Sequence, residues 1–439
     1  MASPLNPANW FNKKAQPQLH KKSFFQFYNN FLEVFLEATG KKHSDYIQEG
    51  YIQNPIVYRC IEERAKGVST LELEIHKNTV TDGKSKKEVL LNHPIIELLN
   101  TPNPFQNRKE LLKLIVMNLD TSGSAFILAT KDSTGFPIEL NILPSIDMTI
   151  VEGKNMFPLQ YVYKKGTADQ KEYPIDQATG YSDVLCIKFA NPLHPQQGLS
   201  PMSPGYGSVD IFNQGLKFNA SLLKNGGRPS GLMSFNGELT DEQYSKVKES
   251  IQQNWQGTHN AGSIPILEGG MTWQELGKSP KDMDWLQGMD AAAMYIASVF
   301  GVPFPLVIPS SATFNNVKDA RIALYENTII PLAQDILEPL EDWLVKMYKK
   351  ADKKAKNGTY DNLCLTYNPE KILALEARRN EKADRLVKLV GGGLITPNEA
   401  REELGWDTID SPDANTLLSL DKVSEPSSSN SLISPSDGA

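Results

Sequence analysis

Cysteine is scarce in this chain of 439 residues, which contains three of them. Cys60, Cys186 and Cys364 lie far apart, and each stands in an apolar pattern. A sparse, odd set of this kind is typical of reduced, buried thiols in a cytosolic protein. The sequence therefore predicts neither a disulfide framework nor a cysteine-ligated metal site.

Long apolar runs are also missing. No segment approaches the roughly 20 apolar residues that a membrane-spanning helix needs. The nearest candidate is the stretch 24–36, where aromatic residues recur at helical spacing, but Glu33 and the following Glu37 break its apolar character. This pattern predicts an amphipathic helix that docks on the protein itself. Contact with a neighbouring subunit or with a membrane surface is the alternative.

Positive charge is not in excess, because 45 Lys and Arg stand against 52 Asp and Glu, giving a net charge of −7. A protein that holds nucleic acid tightly in place needs a basic face that releases counterions from the phosphates. The charge balance therefore argues against tight, static binding of nucleic acid.

Motifs that carry catalysis are absent as well. The sequence contains no GxxxxGK[ST] phosphate loop and no HExxH, CxxC or G-x-S-x-G pattern. Its six histidines show no metal-ligand spacing. Glu72 and Glu74, the most obvious pair of acids, match the solvent-facing side of a strand. The sequence predicts no catalytic residue, no cofactor and no metal.

Residues 45–200 have the pattern of an α+β domain with a mostly antiparallel sheet. Asn54-Pro55 opens a helix that carries apolar residues on one face, and 92–100 and 105–119 are predicted to be helical. Runs with the alternation or composition of strands follow between turn-rich spacers. They span 71–75, 89–91, 125–129, 138–142, 148–151, 161–164 and 184–189.

The second half is predominantly helical. One helix is predicted at 203–226 and another at 280–300, the second stopped by Gly301-Val302-Pro303. Between them lies a compact insert with a strand at 231–235, an amphipathic helix at 240–256 and a strand at 263–267. An uncharged loop then leads to a long helix, 316–356, which we expect to be kinked at Pro331 and Pro339.

The C-terminal region contains one more strand at 363–367 and a helix at 368–391. Thr396 and Glu399 form a capping box that opens a short helix. Residues 1–22 and 413–439 are rich in polar residues and proline, which predicts a mobile arm and a disordered tail.

Three short sequence motifs, together with this order of elements, make the chain similar to a known protein family. They are Asn-Gly-Gly-Arg-Pro at 225–229, Ile-Leu-Glu-Gly-Gly at 266–270 and Phe-Gly-Val-Pro at 300–303. In these motifs and their order, the chain resembles the portal proteins of tailed double-stranded DNA bacteriophages over about residues 50–410. Without this resemblance, the two helices that flank the insert read equally well as core helices of a helical subdomain.

The resemblance implies an α+β portal fold, with a wing of antiparallel sheet plus helices, a helical stem, an α/β clip insert and a helical crown. The implied parts are an N-terminal arm and amphipathic helix (1–44), the first part of the wing (45–202), stem helices (203–226 and 280–300), the clip (227–279), a tunnel loop (301–317), the kinked helix and strand of the wing (318–367), the crown (368–412) and a disordered tail (413–439).

The resemblance also implies a structural function. A portal protein is one subunit of a homo-oligomeric ring, expected to be a dodecamer, at one vertex of the capsid in the virion. Double-stranded DNA passes through the ring without sequence-specific recognition, and the acidic balance of the chain suits a conduit that does not hold phosphates. Expected partners are the terminase large subunit, the major capsid and scaffolding proteins and the head–tail adaptor, with assembly in the host cytoplasm and no membrane.

Another head–tail adaptor or a capsid morphogenesis protein is the alternative function. An enzyme is disfavoured because no catalytic motif is found in the sequence.

By resemblance, the tunnel loop lines the DNA channel through Phe304, Leu306, Val307, Ser310, Ser311, Thr313, Phe314 and Asn315. The clip docks the packaging motor, which is the terminase, and the head–tail adaptor through Arg228, Tyr244, Trp255, Ile264, Ile266 and Leu267. On the residues alone, an uncharged loop between helices is an ordinary connection.

Overall fold

The computed structural model describes residues 47–81, 84–90, 92–153, 157–224, 231–234, 240–254, 272–275, 285–308, 314–352, 360 and 362–418. The predicted arm and amphipathic helix before residue 45 lie outside these residues. The chain divides into two compact units, Met1–Tyr367 and Asn368–Ala439. None of the described helices is long and apolar enough to cross a membrane.

The described part of the first unit has a π-helical turn at Gln48–Ile52, followed by a mixture of helices and strands. Its elements up to residue 200 are α1 (Pro55–Ser69), β1 (Leu73–Thr81), β2 (Lys84–Val89), α2 (Pro94–Asn100), α3 (Arg108–Ser122), β3 (Ser124–Lys131), β4 (Pro137–Leu143), β5 (Met148–Glu152), β6 (Pro158–Tyr163), β7 (Lys171–Pro174) and β8 (Val184–Lys188).

The remainder of the first unit is mainly helical. Its elements are α4 (Met202–Lys224), β9 (Gly231–Ser234), α5 (Asp241–Asn254), β10 (Thr272–Glu275), α6 (Trp285–Val299), α7 (Phe304–Val307), α8 (Phe314–Leu324), a π-helical turn (Tyr325–Ile329), α9 (Ile330–Ala351) and β11 (Leu363–Tyr367).

The strands form sheets of order β11-β1-β2, β4-β3-β8, β5-β6-β7 and β10-β9. Every pairing among the described strands is antiparallel, which confirms the predicted sheet type. The pairing of β1 with β11 places Leu73 opposite Tyr367, and so joins residues that lie far apart in the sequence. Strand β7 was not predicted, and β2 lies earlier than expected because its hairpin register pairs Thr81 with Lys84.

Helices α1 and α3 pack together and form the centre of the core. Each begins at an asparagine cap: the Asn54 carboxamide oxygen accepts the Ile56 and Val57 amides, and that of Asn107 accepts the Glu110 amide. The facing apolar side chains are almost fully buried, among them Val57, Cys60, Ile61, Leu111, Leu112, Ile115 and Leu119. Burial at this density makes the pair the rigid base of the first unit.

The predicted long helix is present as α8, the π-helical turn and α9 in continuous succession. Pro331 stands in the first turn of α9, directly after the π-helical turn, and Pro339 lies inside α9. Because Pro331 has no amide hydrogen, a change of hydrogen-bond register at this point avoids an unfilled bond. The described helix ends at Ala351, before the predicted end, and 353–359 lie outside the described residues.

The second unit corrects two boundaries. The helix predicted from residue 368 starts only at Glu376 (α10, Glu376–Gly391), because Asn368 caps a 3₁₀ turn at Pro369–Lys371 and another follows at Leu373–Leu375. The Thr396 capping box is confirmed at the start of α11 (Pro397–Glu403). The tail predicted to be disordered from 413 includes a 3₁₀ turn at Pro412–Asn415, which the Asn398 carboxamide binds at 2.8 Å.

Two glycines meet where α3 ends and the approach to α4 begins. Gly123 ends α3 with φ of 75°, a left-handed conformation that glycine adopts without strain. A Cβ atom on Gly198 would lie 1.8 Å from the carbonyl oxygen of Gly123. The amide of Gly198 also donates to the Ser124 hydroxyl at 3.1 Å. Residue 198 must therefore be glycine for the chain to pass this close.

We predict that Gly198→Ala lowers the free energy of unfolding by about 3 kcal/mol, because backbone rather than a flexible side chain must move to admit the methyl group. Gly207→Ala is the matched control. A Cβ atom at Gly207 meets no atom within 4 Å, and the position lies inside α4, so this change should be neutral or stabilise by up to about 1 kcal/mol. Urea unfolding of both variants measures the difference, and equal stabilities would contradict the close contact.

Candidate functional site: a helix pair and the turn that follows it

Helices α4 and α6 pack side by side, with the insert between them in sequence. Gly215 of α4 allows Met289 to approach so closely that a Cβ atom at residue 215 would lie 2.7 Å from the Met289 sulfur. Small residues on α6, Ala292, Ala293 and Ala297, are buried. Small residues at a helix contact let the two backbones approach each other, and the pair is therefore tightly packed.

The outward sides of the pair carry large apolar side chains that the single chain leaves exposed. On α4 these are Ile211, Leu216, Phe218 and Leu223, and on α6 they are Leu286, Met294, Tyr295 and Val299. Leu223 and Tyr295 are 67% and 64% exposed. A soluble monomer rarely leaves so much apolar side chain in water on one pair of helices, and such surfaces mark contact sites.

The start of α4 is fixed to the core by polar contacts. The Ser200 hydroxyl donates to the Asp120 carbonyl oxygen at 2.6 Å and accepts the Met202 amide at 3.0 Å. Further along α4, the buried Asn213 carboxamide accepts from Asn54 at 2.9 Å and donates to the Glu49 carbonyl at 3.0 Å. These bonds hold the first half of α4 against α1 and α3.

The end of α6 is fixed by an arginine from α1. Gly301, with φ of 66°, ends the helix in the left-handed conformation. Nη1 of Arg64 donates to the Phe300 carbonyl at 2.6 Å, and its Nε donates to Asp120 of α3 at 2.9 Å. Carbonyls at the end of a helix have no partner within it, and Phe300 is buried, so this bond supplies the missing donor. Thr328 donates to the Gly301 carbonyl at 2.6 Å.

The ion pair of Arg64 and Asp120 is withdrawn from water, since 9% of the arginine side chain and none of the aspartate side chain is exposed. Burial raises the pKa of Asp120, and the Arg64 guanidinium acts in the opposite direction by favouring the charged carboxylate. A charge buried in this way is stable only while its partner is present. The pair therefore ties α1, α3 and the end of α6 into one arrangement.

The segment after α6 was predicted to be an uncharged loop, but part of it is helical. Phe304 and Val307 are half-buried in the short helix α7. Leu306 was predicted to line the DNA channel, but it is 6% exposed and so packs into the core of its own chain. Further copies of the chain can only cover it more, and we therefore remove it from the channel candidates.

The other predicted channel residues are only partly described. Phe314 and the next residue, Asn315, stand in the first turn of α8. Ser310, Ser311 and Thr313 lie outside the described residues. Their assignment to a channel stays a prediction.

The insert contains the predicted first strand and the predicted helix, now β9 and α5. Its second described strand is β10, which pairs with β9 in antiparallel register, Thr272 opposite Ser234. This strand was not predicted, although the Thr-Trp-Gln-Glu run after Gly269-Gly270 has the composition of one. Tyr244 lies on α5 and is 59% exposed. The remaining clip candidates, Arg228, Trp255, Ile264, Ile266 and Leu267, lie outside the described residues, as does the predicted strand 263–267.

Sequence reasoning missed the two charged residues on which the site depends. Arg64 follows Val57 and Ile61 on the apolar face of α1, and Asp120 stands among apolar residues late in α3. A charged residue on an otherwise apolar helix face is the available signal, because burial without a partner is costly. The sequence does not reveal which residue is the partner, since the two lie in different helices.

The described residues offer little reactive chemistry. They contain no group of three or more His, Cys, Asp or Glu side chains arranged to hold a metal ion. All three cysteines are free. Burial raises the pKa of the Cys60 thiol to about 12, so this thiol stays protonated at neutral pH and is a poor nucleophile.

Comparison with known proteins agrees with the architecture. The family model of phage portal proteins matches residues 55–405. An uncharacterised protein of Rickettsia bellii is 32% identical, over 83% of this chain and 90% of its own. The portal protein of Escherichia phage T5 is 26% identical, over 73% of this chain and 72% of its own. A solved chain from the neck of a native GTA particle, computed with C12 symmetry, is 27% identical, with a TM-score of 0.61 and coverage of 83% of this chain and 93% of its own.

Because the family model covers most of its length, the chain belongs to the phage portal protein family. The resemblance inferred from the three sequence motifs is thereby confirmed. Its function is that of a portal protein, which is structural and not enzymatic. The mixed helix-and-sheet fold agrees with this family, while the division into wing, stem, clip and crown stays a prediction.

We predict that Arg64→Met destabilises the chain by about 3–5 kcal/mol, because it leaves Asp120 buried and unpaired. Adding Asp120→Leu should restore part of that loss, since the uncompensated charge is then removed as well. Denaturant unfolding of the wild type, both single variants and the double variant measures the coupling. If the double variant loses the sum of the two single losses, Arg64 and Asp120 do not act as a pair.

Proposed function

We propose that twelve copies of this chain close into a ring at the portal vertex of a virion, and that double-stranded DNA passes along the axis of the ring. The observation that carries this proposal is the exposed apolar surface of the α4–α6 pair. The related chain from the neck of a GTA particle comes from a structure computed with C12 symmetry, which supports the copy number.

The exposed surface explains why a ring is the expected assembly. Leu223 on α4 and Tyr295 on α6 belong to one packed pair, yet both are left in water by the single chain. If the pair of one copy packs beside the pair of the next, each copy covers its neighbour through two different faces. Contacts between unlike faces generate a closed ring when the rotation closes.

We propose further partners from the family resemblance. The insert, with α5 and its two described strands, docks the terminase large subunit during packaging and the head–tail adaptor afterwards. The wing contacts the major capsid and scaffolding proteins during assembly in the host cytoplasm. Within the insert, we propose Tyr244 as a contact residue for the terminase or the adaptor, because a large exposed aromatic side chain offers a large contact area.

The segment after α6 is proposed to face the DNA. Residues 301–317 carry no charged side chain, and a surface without Lys or Arg does not bind phosphate firmly. Phe304 and Val307 are half-buried, so each presents part of its side chain. Such a surface allows DNA to slide, and the energy for its movement comes from the motor.

The ring proposal leads to a prediction about assembly. Leu223→Glu and Tyr295→Glu each place a carboxylate where a neighbour's apolar side chain is expected, so neither variant should form rings. Gln214→Glu is the matched control, because it adds the same charge at an exposed position of α4 without removing apolar surface. Light scattering measures assembly, and circular dichroism checks that the variants stay folded. Normal rings from both apolar variants would place the subunit interface elsewhere.

The second prediction concerns sliding. Replacing Ser310, Ser311 and Thr313 with lysine should slow DNA packaging, because each cation facing the channel adds a salt-dependent contact with phosphate. The same three positions changed to glutamine control for size. Packaging assays at low and high salt should show a defect that is specific to lysine and partly relieved by salt. Equal packaging by the lysine and glutamine rings at both salts would place these residues away from the DNA.

A further inference from the structure

Three backbone carbonyls in the stretch 300–306 are each held by a side chain from another element. Arg64 donates to the Phe300 carbonyl at 2.6 Å, Thr328 to the Gly301 carbonyl at 2.6 Å, and Nε of Arg59 to the Leu306 carbonyl at 3.3 Å. We propose that Arg59, Arg64 and Thr328 are positioning residues that fix where Phe304 and Val307 are presented to the DNA. This inference rests on the proposed function.

Both arginines are themselves held in place. They stand five residues apart on α1, a helix with buried residues along its whole length. Glu63 binds the guanidinium of Arg59 at 2.7 Å, and Asp120 binds that of Arg64 at 2.9 Å. A donor held by a second charged group keeps its direction, and hydrogen bonds from charged donors are stronger than those between neutral groups. The rigid α1 therefore determines the position of the segment.

After Gly301, two residues of the segment are buried, and the residues between them are half-buried. Val302 and Leu306 are buried, and together with the three carbonyl contacts they hold the segment on its inner side. Phe304 and Val307 remain half-exposed on the short helix α7. A shift of α7 would move these two side chains directly, because they belong to its single turn.

Arg59 allows a clean test because 50% of its side chain is exposed, so its removal should not unfold the chain. The amides of Leu306 and Ile308 donate to Pro303 and Phe304, both at 3.0 Å, and report on the closure of α7. In Arg59→Ala, hydrogen exchange at these two amides should become about fivefold faster, as the loss of one hydrogen bond of about 1 kcal/mol implies.

Two further variants separate a positioning role from a general loss of stability. Arg59→Gln keeps an N–H donor at the same distance along the side chain as Nε, without the charge, so exchange should return close to that of the wild type. Lys66→Ala removes an exposed cation from the same helix and should leave both amides unchanged. The Leu340 amide in the buried part of α9 should be unaffected in every variant. Exchange at Leu306 and Ile308 that is equally slow in Arg59→Ala and the wild type would overturn the proposal.

Packaging completes the test and separates this inference from the proposed function. Arg59→Ala rings should assemble normally but package DNA more slowly than Arg59→Gln or Lys66→Ala rings. If exchange accelerates while packaging stays normal, the contact exists but does not position a DNA-facing segment, and the proposal fails. If wild-type rings do not pass DNA at all, the proposed function fails, and with it the positioning role of the three residues, whatever the exchange result.

Discussion

Arg64 and Asp120 form an ion pair where neither charge is well exposed to water, and the surrounding helices are arranged to keep it intact. The pair joins α1 to α3, and the second hydrogen bond of Arg64 extends the connection to the end of α6. Through its backbone carbonyl, Asp120 also receives the Ser200 hydroxyl at the start of α4. The two residues of the ion pair thus each bind an end of one helix of the α4–α6 pair, Asp120 the start of α4 and Arg64 the end of α6.

The function proposed for this chain depends on how the α4–α6 pair is held in place and not on a reactive group. The core holds the helix pair in a defined position, and the pair carries large apolar side chains that are exposed in the single chain. Other copies of the chain are proposed to cover these side chains. The absence of positive charge in 301–317 then gives the assembled particle a segment that does not grip phosphate. Both features agree with the proposed conduit.

Local features of the fold were predictable from the sequence where a residue acts on its own neighbours. Asn54-Pro55, the stop at Gly301 and the Thr396 capping box each mark a helix end, and each works through bonds within a few residues. Predictions failed where distant residues decide the outcome. The burial of Leu306 is an example, since the short helix α7 that carries it packs against α1.

The same distinction holds for the candidate site. The helices α4, α5 and α6 were predictable because start and stop signals and helical spacing lie within one segment of the sequence. The partnership of Arg64 with Asp120 is not visible, since it joins positions 56 residues apart. The strands β7 and β10 were missed because alternation over four residues repeats only once, although the composition of β10 is that of a strand.

The central claim, that the chain functions as a closed ring, is tested most directly by native mass spectrometry of the tag-free wild-type protein together with cryo-electron microscopy of the same sample. The account predicts a closed ring of about 590 kDa, twelve copies of the 48.8 kDa chain, with α4 and α6 lining the contacts between copies. A sample that stays a monomer or a simple dimer under all assembly conditions, or that forms open filaments, would contradict it.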